Sequence, residues 1–236
     1  MVEPMIRSSA RALRPLVGLL LIVPLSAPMA AEPSPLPEGP SASTEAATSA
    51  LKRFVEEVSS FEADFEQIQR DDTGFELERS EGRFWLQRPG RFRWEVRSPF
   101  PQTVVADSET LWTYEPDLAQ VTRRPADAAL AGTPAELLAD GSALETRFRI
   151  VAPETATALD GEGEEQVVRL EPRSAESDFQ SVTLLLAEGV PRALVFADQL
   201  GGQTTVRFSN ITVNGEIAPE QLRFTPPKGA DVVVVE

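Results

Sequence analysis

The sequence predicts a mainly β fold, an antiparallel sheet curled towards a barrel with two short helices across its mouth. Three observations carry this expectation. About ten segments alternate apolar and polar side chains at the period of a strand. Short turn signals separate them, so consecutive strands pair as antiparallel neighbours, and so many strands with one apolar face each curl towards closure. The third observation is the stretch Gly82-Arg83-Phe84-Trp85-Leu86-Gln87-Arg88-Pro89-Gly90-Arg91-Phe92-Arg93-Trp94-Glu95-Val96. It places two aromatic-rich strands on either side of an Arg-Pro-Gly turn, and Phe92, Trp94 and Val96 alternate with Arg91, Arg93, Glu95 and Arg97, giving one dry and one wet face.

Residues 1–31 carry Arg7, Arg11 and Arg14 ahead of the apolar run Leu16 to Val23, then Ser26-Ala27-Pro28-Met29-Ala30-Ala31. This is the pattern of a secretory signal peptide, too short between Pro15 and Pro24 to span a bilayer comfortably. The exported chain is expected to be soluble. Residues 32–45, rich in Pro, Ser and Ala, read as a flexible segment, and a single domain is expected over 46–236.

Leu51, Phe54, Val55 and Val58 share one side of a helical wheel and predict an amphipathic helix over about 46–59. Strand patterns follow at Phe61 to Glu66, Phe75 to Gln87, the strand through Trp94, Gln102 to Ala106, Leu111 to Tyr114 and Gln120 to Arg123. Thr133-Pro134-Ala135-Glu136 then combines a Thr N-cap, Pro at the first helical position and Glu three residues after the cap, predicting a second short helix over about 133–141. Strands resume at Thr146 to Val151, Gln166 to Glu171, Phe179 to Leu186, Arg192 to Ala197 and Thr204 to Val213, divided by turns such as Glu188-Gly189 and Asn214-Gly215. The count is ten or eleven strands.

Composition removes whole classes of chemistry. The chain has no His and no Cys, which excludes a Ser-His-Asp triad, a Cys-His pair and an ordinary zinc site, and leaves the fold without a disulfide. The net charge is -15, and losing the three Arg and one Glu of residues 1–31 makes it -17. Nucleic acid and anionic membranes are poor partners for such a surface. The pairs Glu56-Glu57, Asp71-Asp72 and Glu164-Glu165 remain as carboxylates for a hydrolase. Adjacent strand residues point to opposite faces, and Asp71-Asp72 falls in a turn, so these read as solvated surface. No glycine-rich phosphate loop or EF-hand spacing is present. The expectation is a protein without enzymatic activity or cofactor.

The aromatic stripes suit either core packing or the lining of a cavity. A barrel of this strand number encloses more volume than strand side chains readily fill. With Val, Leu and Phe as the main interior candidates, that cavity favours hydrocarbon, and Phe65, Trp85, Phe92, Trp94 and Trp112 are its expected lining.

Over nearly all of the exported domain the chain resembles the LolA family of periplasmic outer-membrane lipoprotein carriers. The residues that carry the likeness are Val58 to Gln67, the block from Gly82 through Arg88-Pro89 to Trp94, Thr110-Leu111-Trp112-Thr113-Tyr114, Thr133-Pro134 and Leu222 to Gly229, in that order. The resemblance implies an incomplete antiparallel barrel with a helical lid over a cavity for lipoprotein acyl chains. It implies cargo released from the inner membrane by an ABC transporter and passed to an acceptor lipoprotein at the outer membrane, by a carrier acting as a monomer. It also implies that Arg88 latches the lid through backbone carbonyls at Leu137, Leu138 and Ala139. The acidic insert at 160–166 departs from the family's enteric members. The alternatives are a same-fold binder or sensor of another lipid or lipoprotein and, from a different class, a carboxylate hydrolase.

Overall fold

The computed structural model describes residues 42–107, 109–126, 138, 146–151, 166–174, 177 and 179–235. The expected signal segment, the insert at 160–166 and all of the second helix except Leu138 lie outside these residues.

The helix α1 spans Ala42–Glu57. It begins four residues before the expected start, because Ala42, Ala46 and Ala47 favour helix and Glu45 sits favourably in the first turn. Ala47, Ala50, Leu51, Phe54 and Val58 are buried at helical spacing. Among the described residues twelve strands follow: β1 Ser60–Arg70, β2 Glu76–Gln87, β3 Arg91–Ser98, β4 Gln102–Asp107, β5 Thr110–Glu115, β6 Gln120–Pro125, β7 Phe148–Val151, β8 Gln166–Pro172, β9 Phe179–Ala187, β10 Val190–Asp198, β11 Gln203–Val213 and β12 Asp231–Val234.

All twelve belong to one sheet in the order β12-β6-β5-β4-β3-β2-β1-β11-β10-β9-β8-β7. The chain meanders from β1 out to β6, crosses to β7 at the far edge and returns to β11 beside β1. Every described pairing is antiparallel except β12 on β6, so the sheet is an open, curled relative of a barrel with β7 and β12 at its edges. The strand beyond the expected ten or eleven is β12. Its run of Val residues has strand character, but a parallel partner more than a hundred residues upstream leaves no hairpin signal in the sequence.

The pleat divides the sheet into two unlike faces. On the concave face, Leu86 of β2 lies opposite Phe92 of β3, and Phe84 opposite Trp94, so all four share one side. On the convex face, Trp85 packs with Ile217 and Leu222, while Trp112 and Tyr114 meet the ring of Phe224 at 5.7 and 6.0 Å. The segment from Ile217 to Phe224, with a 3-10 turn at Pro219–Leu222, thereby straps the outside of β2 to β5. Around it runs a ladder of ion pairs that includes Arg83 with Glu62 and Arg79 with both Glu66 and Glu76.

Candidate functional site

The concave face forms one continuous apolar floor. Register places Phe61, Leu86, Phe92, Ala106 and Leu111 in one row across β1 to β5, and Ala63, Phe84, Trp94 and Val104 in the next. On the other flank Val168, Leu184, Leu194 and Val206 continue the floor through β8, β9, β10 and β11. Helix α1 lies over β8 to β10, and there Val168, Leu170, Val182, Leu184, Leu186 and Leu194 are buried, with Phe196 partly so. Under β3 to β5 it is not: Trp94, Val96, Val104 and Leu111 are only partly buried. The floor ends at β6, where Thr122 and Arg124 replace apolar side chains opposite Thr113 and Leu111.

Phe84 is the hub of this floor. Its ring lies 5.2 Å from Trp94, 6.0 Å from Phe61, 6.1 Å from Phe208 and 6.3 Å from Phe92. Phe65 stacks on Trp94 at 3.9 Å. That stack depends on Gly82, because a Cβ there would stand 2.7 Å from the Phe65 ring and 1.9 Å from the carbonyl oxygen of Glu95. Glycine opens the family-like motif because the backbone of β3 and a flat aromatic ring both press against that position.

Of the five residues expected to line a cavity, Phe65, Phe92 and Trp94 meet on the floor. Trp85 and Trp112 do not, and the expectation is corrected for both. Trp85 follows Phe84 in the same strand and must point the other way. Its indole N–H donates to Glu62 Oε1 at 3.0 Å, a bond the oily side cannot offer, and Arg83 lies over its ring at 5.4 Å. Trp112 likewise donates to Asp107 Oδ2 at 3.4 Å and is covered by Arg123 and Phe224. Phe61, Phe84 and Phe208 take their places on the floor. The signal for Phe84 was present in the hairpin itself, since residues opposite each other across the Arg88 turn share a face and Phe92 and Trp94 are plainly apolar-side.

Arg88 reaches from the β2–β3 turn to the C-terminal end of α1. Its Nη1 donates to the carbonyl oxygens of Phe54, at 3.4 Å, and Val58, and its guanidinium lies over the Phe54 ring at 4.9 Å. Helix α1 has no basic residue in its last turn, so Arg88 supplies from another element the positive charge that a helix C-terminus favours. Asn214 completes the fastening: its Nδ2 donates to Glu57 O at 3.3 Å, and its Oδ1 accepts from Ser59 N at 2.7 Å. Of the carbonyls expected to receive Arg88, those of Leu137 and Ala139 lie outside the described residues. Leu138 is helical and buried in the same apolar cluster as the floor. Among the carboxylate pairs, Glu56 and Glu57 are exposed on α1, and Asp71 is engaged in its own turn, accepting from Thr73 and from the amide of Phe75. Glu164-Glu165 lies outside the described residues.

This architecture has relatives. A conserved protein of Thermus thermophilus superimposes with a TM-score of 0.53 at 18% identity, over 80% of this chain and 99% of that one, a likeness of fold alone. The outer-membrane lipoprotein carrier protein of Alkalilimnicola ehrlichii is 40% identical over 191 residues, covering 80% of this chain and 85% of that protein. Its counterpart in Chromohalobacter salexigens is 38% identical over 183 residues, 78% and 84% of the two chains. The family model "Outer membrane lipoprotein carrier protein LolA" matches residues 56–225, which hold nearly all of the concave floor together with Arg88 and Asn214. By the extent of that match and the identity to these relatives, the chain belongs to the LolA family.

Proposed function

We propose that this protein carries lipoproteins across the periplasm with their acyl chains laid on the concave floor. The observation that carries the reading is the unequal cover of that floor, buried at Val168, Leu184 and Leu194 where α1 lies over β8 to β10 yet only partly buried along Trp94, Val96, Val104 and Leu111. Each buried methylene contributes about 0.8 kcal/mol, so one long acyl chain supplies on the order of 10 kcal/mol. No multiply acylated protein crosses water without such shelter.

Release is the harder half of the task. A cover that must be displaced before cargo can settle lowers net affinity by the free energy of its own closure. Arg88 sets that closure energy in this reading. Its planar guanidinium serves two carbonyls at the end of α1 and stacks on Phe54, a geometry an ammonium does not reproduce. Loading displaces the cover and breaks these contacts; unloading restores them. Cargo enters from an inner-membrane ABC transporter and leaves to an acceptor lipoprotein of the outer membrane, and the carrier performs no chemistry on it.

Native purification from the periplasm followed by mass spectrometry tests the reading. Acylated N-terminal peptides of outer-membrane lipoproteins are expected to co-purify with the protein and to vanish when Trp94 is replaced by Glu. Recovery of free glycolipid or sterol-like molecules instead, equally from both proteins, contradicts it.

A further inference from the structure

The antiparallel meander puts alternate turns at opposite ends of the sheet. The Arg88 turn lies at one end; the β1–β2, β3–β4 and β5–β6 turns lie together at the other. That second end is unusually oily for a surface. Phe75, Phe100 and Leu118 are 69%, 66% and 66% exposed, and all three stand on these turns or their margins. Between the β3–β4 and β5–β6 turns is a recess of about 320 Å³ walled by Val96, Phe100, Pro101 and Leu118. Glu78, Glu115 and Asp117 also line it, no Lys or Arg does, and none of the three carboxylates makes an ion pair with a described residue.

We infer that this end of the sheet is a protein-docking surface for a segment that offers one apolar side chain flanked by Lys or Arg. Exposed apolar groups that surround a concavity mark interaction sites. The unpaired carboxylates fix the sign of the partner, because an apolar tip with basic flanks satisfies both features while an acidic one meets repulsion. The same charges disfavour an anionic bilayer, which the whole molecule at a net charge of -15 also repels. Gln67 and Gln102 in the recess add amide groups that suit the backbone of a polypeptide. Val96 joins this surface to the apolar floor, and Gln67, Ser80 and Gln102 extend the same concave face beyond it.

Two disulfide-closed hairpin peptides with Phe at the tip, one flanked by Lys and one by Glu, test the inference by fluorescence anisotropy and by amide chemical shifts of the labelled protein. The Lys peptide is expected to bind, to weaken with added salt, and to shift amides of residues 76–80, 96–102 and 115–119. The Glu peptide is expected to bind at least tenfold more weakly. The double substitution Phe100→Ser with Leu118→Ser, at exposed positions, and separately Glu115→Gln with Asp117→Asn, should each weaken the Lys peptide at least tenfold with circular dichroism unchanged. Equal binding of the two peptides, binding of neither, or shifts confined to Phe84 and Trp94 on the floor overturns the inference. So does flotation with neutral phosphatidylcholine vesicles that depends on Phe100 and Leu118, which assigns the surface to a membrane.

Discussion

Phe84 and Trp85 are neighbours in β2 and lead opposite lives. Phe84 faces four aromatic rings on the concave floor, the surface that the proposed function gives to a guest. Trp85 faces Ile217 and Leu222 under the C-terminal strap, with its N–H committed to Glu62, a surface built to be closed permanently. On the proposed function the two faces of one sheet separate binding from stability. The concave side keeps a half-covered apolar area because the convex side, with its strap and buried Val105 and Val121, supplies packing that need not open.

Substitutions that act on one face and spare the other test this division. The largest effect is expected for Trp85→Ala, which empties the convex cluster and should cost about 3–5 kcal/mol in urea unfolding, with binding of a fluorescent acyl probe per folded molecule unchanged. Lost probe binding without lost stability would reverse the assignment of the two faces.

Arg88→Leu comes next. It removes the donor to the carbonyls of Phe54 and Val58 at the end of α1 and should weaken closure by about 1–3 kcal/mol. The variant should fold, load cargo and hold it roughly 5- to 150-fold more tightly, with transfer to the acceptor correspondingly poor. Normal transfer would remove Arg88 from the latch.

Trp94→Glu should weaken the acyl probe about tenfold or more, a difference of about 1.4 kcal/mol, with native circular dichroism, since Trp94 is only partly buried and a carboxylate there can reach water. Undiminished binding would place the cargo elsewhere.

The smallest effect is in acid. Burial pushes the carboxyl of Glu95 up, but hydrogen bonds from Arg97 and Arg93 at 3.0 Å hold it below its ordinary range on the convex side of β3. A depressed carboxylate stabilises the folded state above its unfolded pKa and loses that contribution as pH falls through the lower folded value. Stability should therefore decline below about pH 4, while acyl binding by the protein still folded stays level, because the rows of the floor around Phe84 hold no titratable group. A parallel loss of both would tie the faces together.

Much of this was legible in the sequence, and the failures share a cause. The alternation in β3, the hairpin around Arg88 and the helical face of α1 are local patterns, and they place Phe92, Trp94, Phe54 and Val58 correctly on the apolar side. Trp85 and Trp112 were misplaced because hydrophobicity alone does not tell which face of a strand a Trp prefers. That choice follows from partners for the indole N–H at Glu62 and Asp107 and from a strap over a hundred residues downstream. The acceptors of Arg88 at Phe54 and Val58, the fastening by Asn214 and the parallel strand β12 are likewise set by long-range register, which no local period encodes.

The three tryptophans offer the most direct test of the central claim, that cargo chains lie on the concave floor. Three variants, each keeping one Trp and carrying Phe at the other two positions, would be mixed with a diacylated lipopeptide brominated along its acyl chains, a quencher that acts only near contact. The account predicts strong quenching of Trp94 and little change in Trp85 or Trp112. Quenching of Trp85 or Trp112 equal to that of Trp94, or none at Trp94 in a mixture where the lipopeptide is bound, would contradict it.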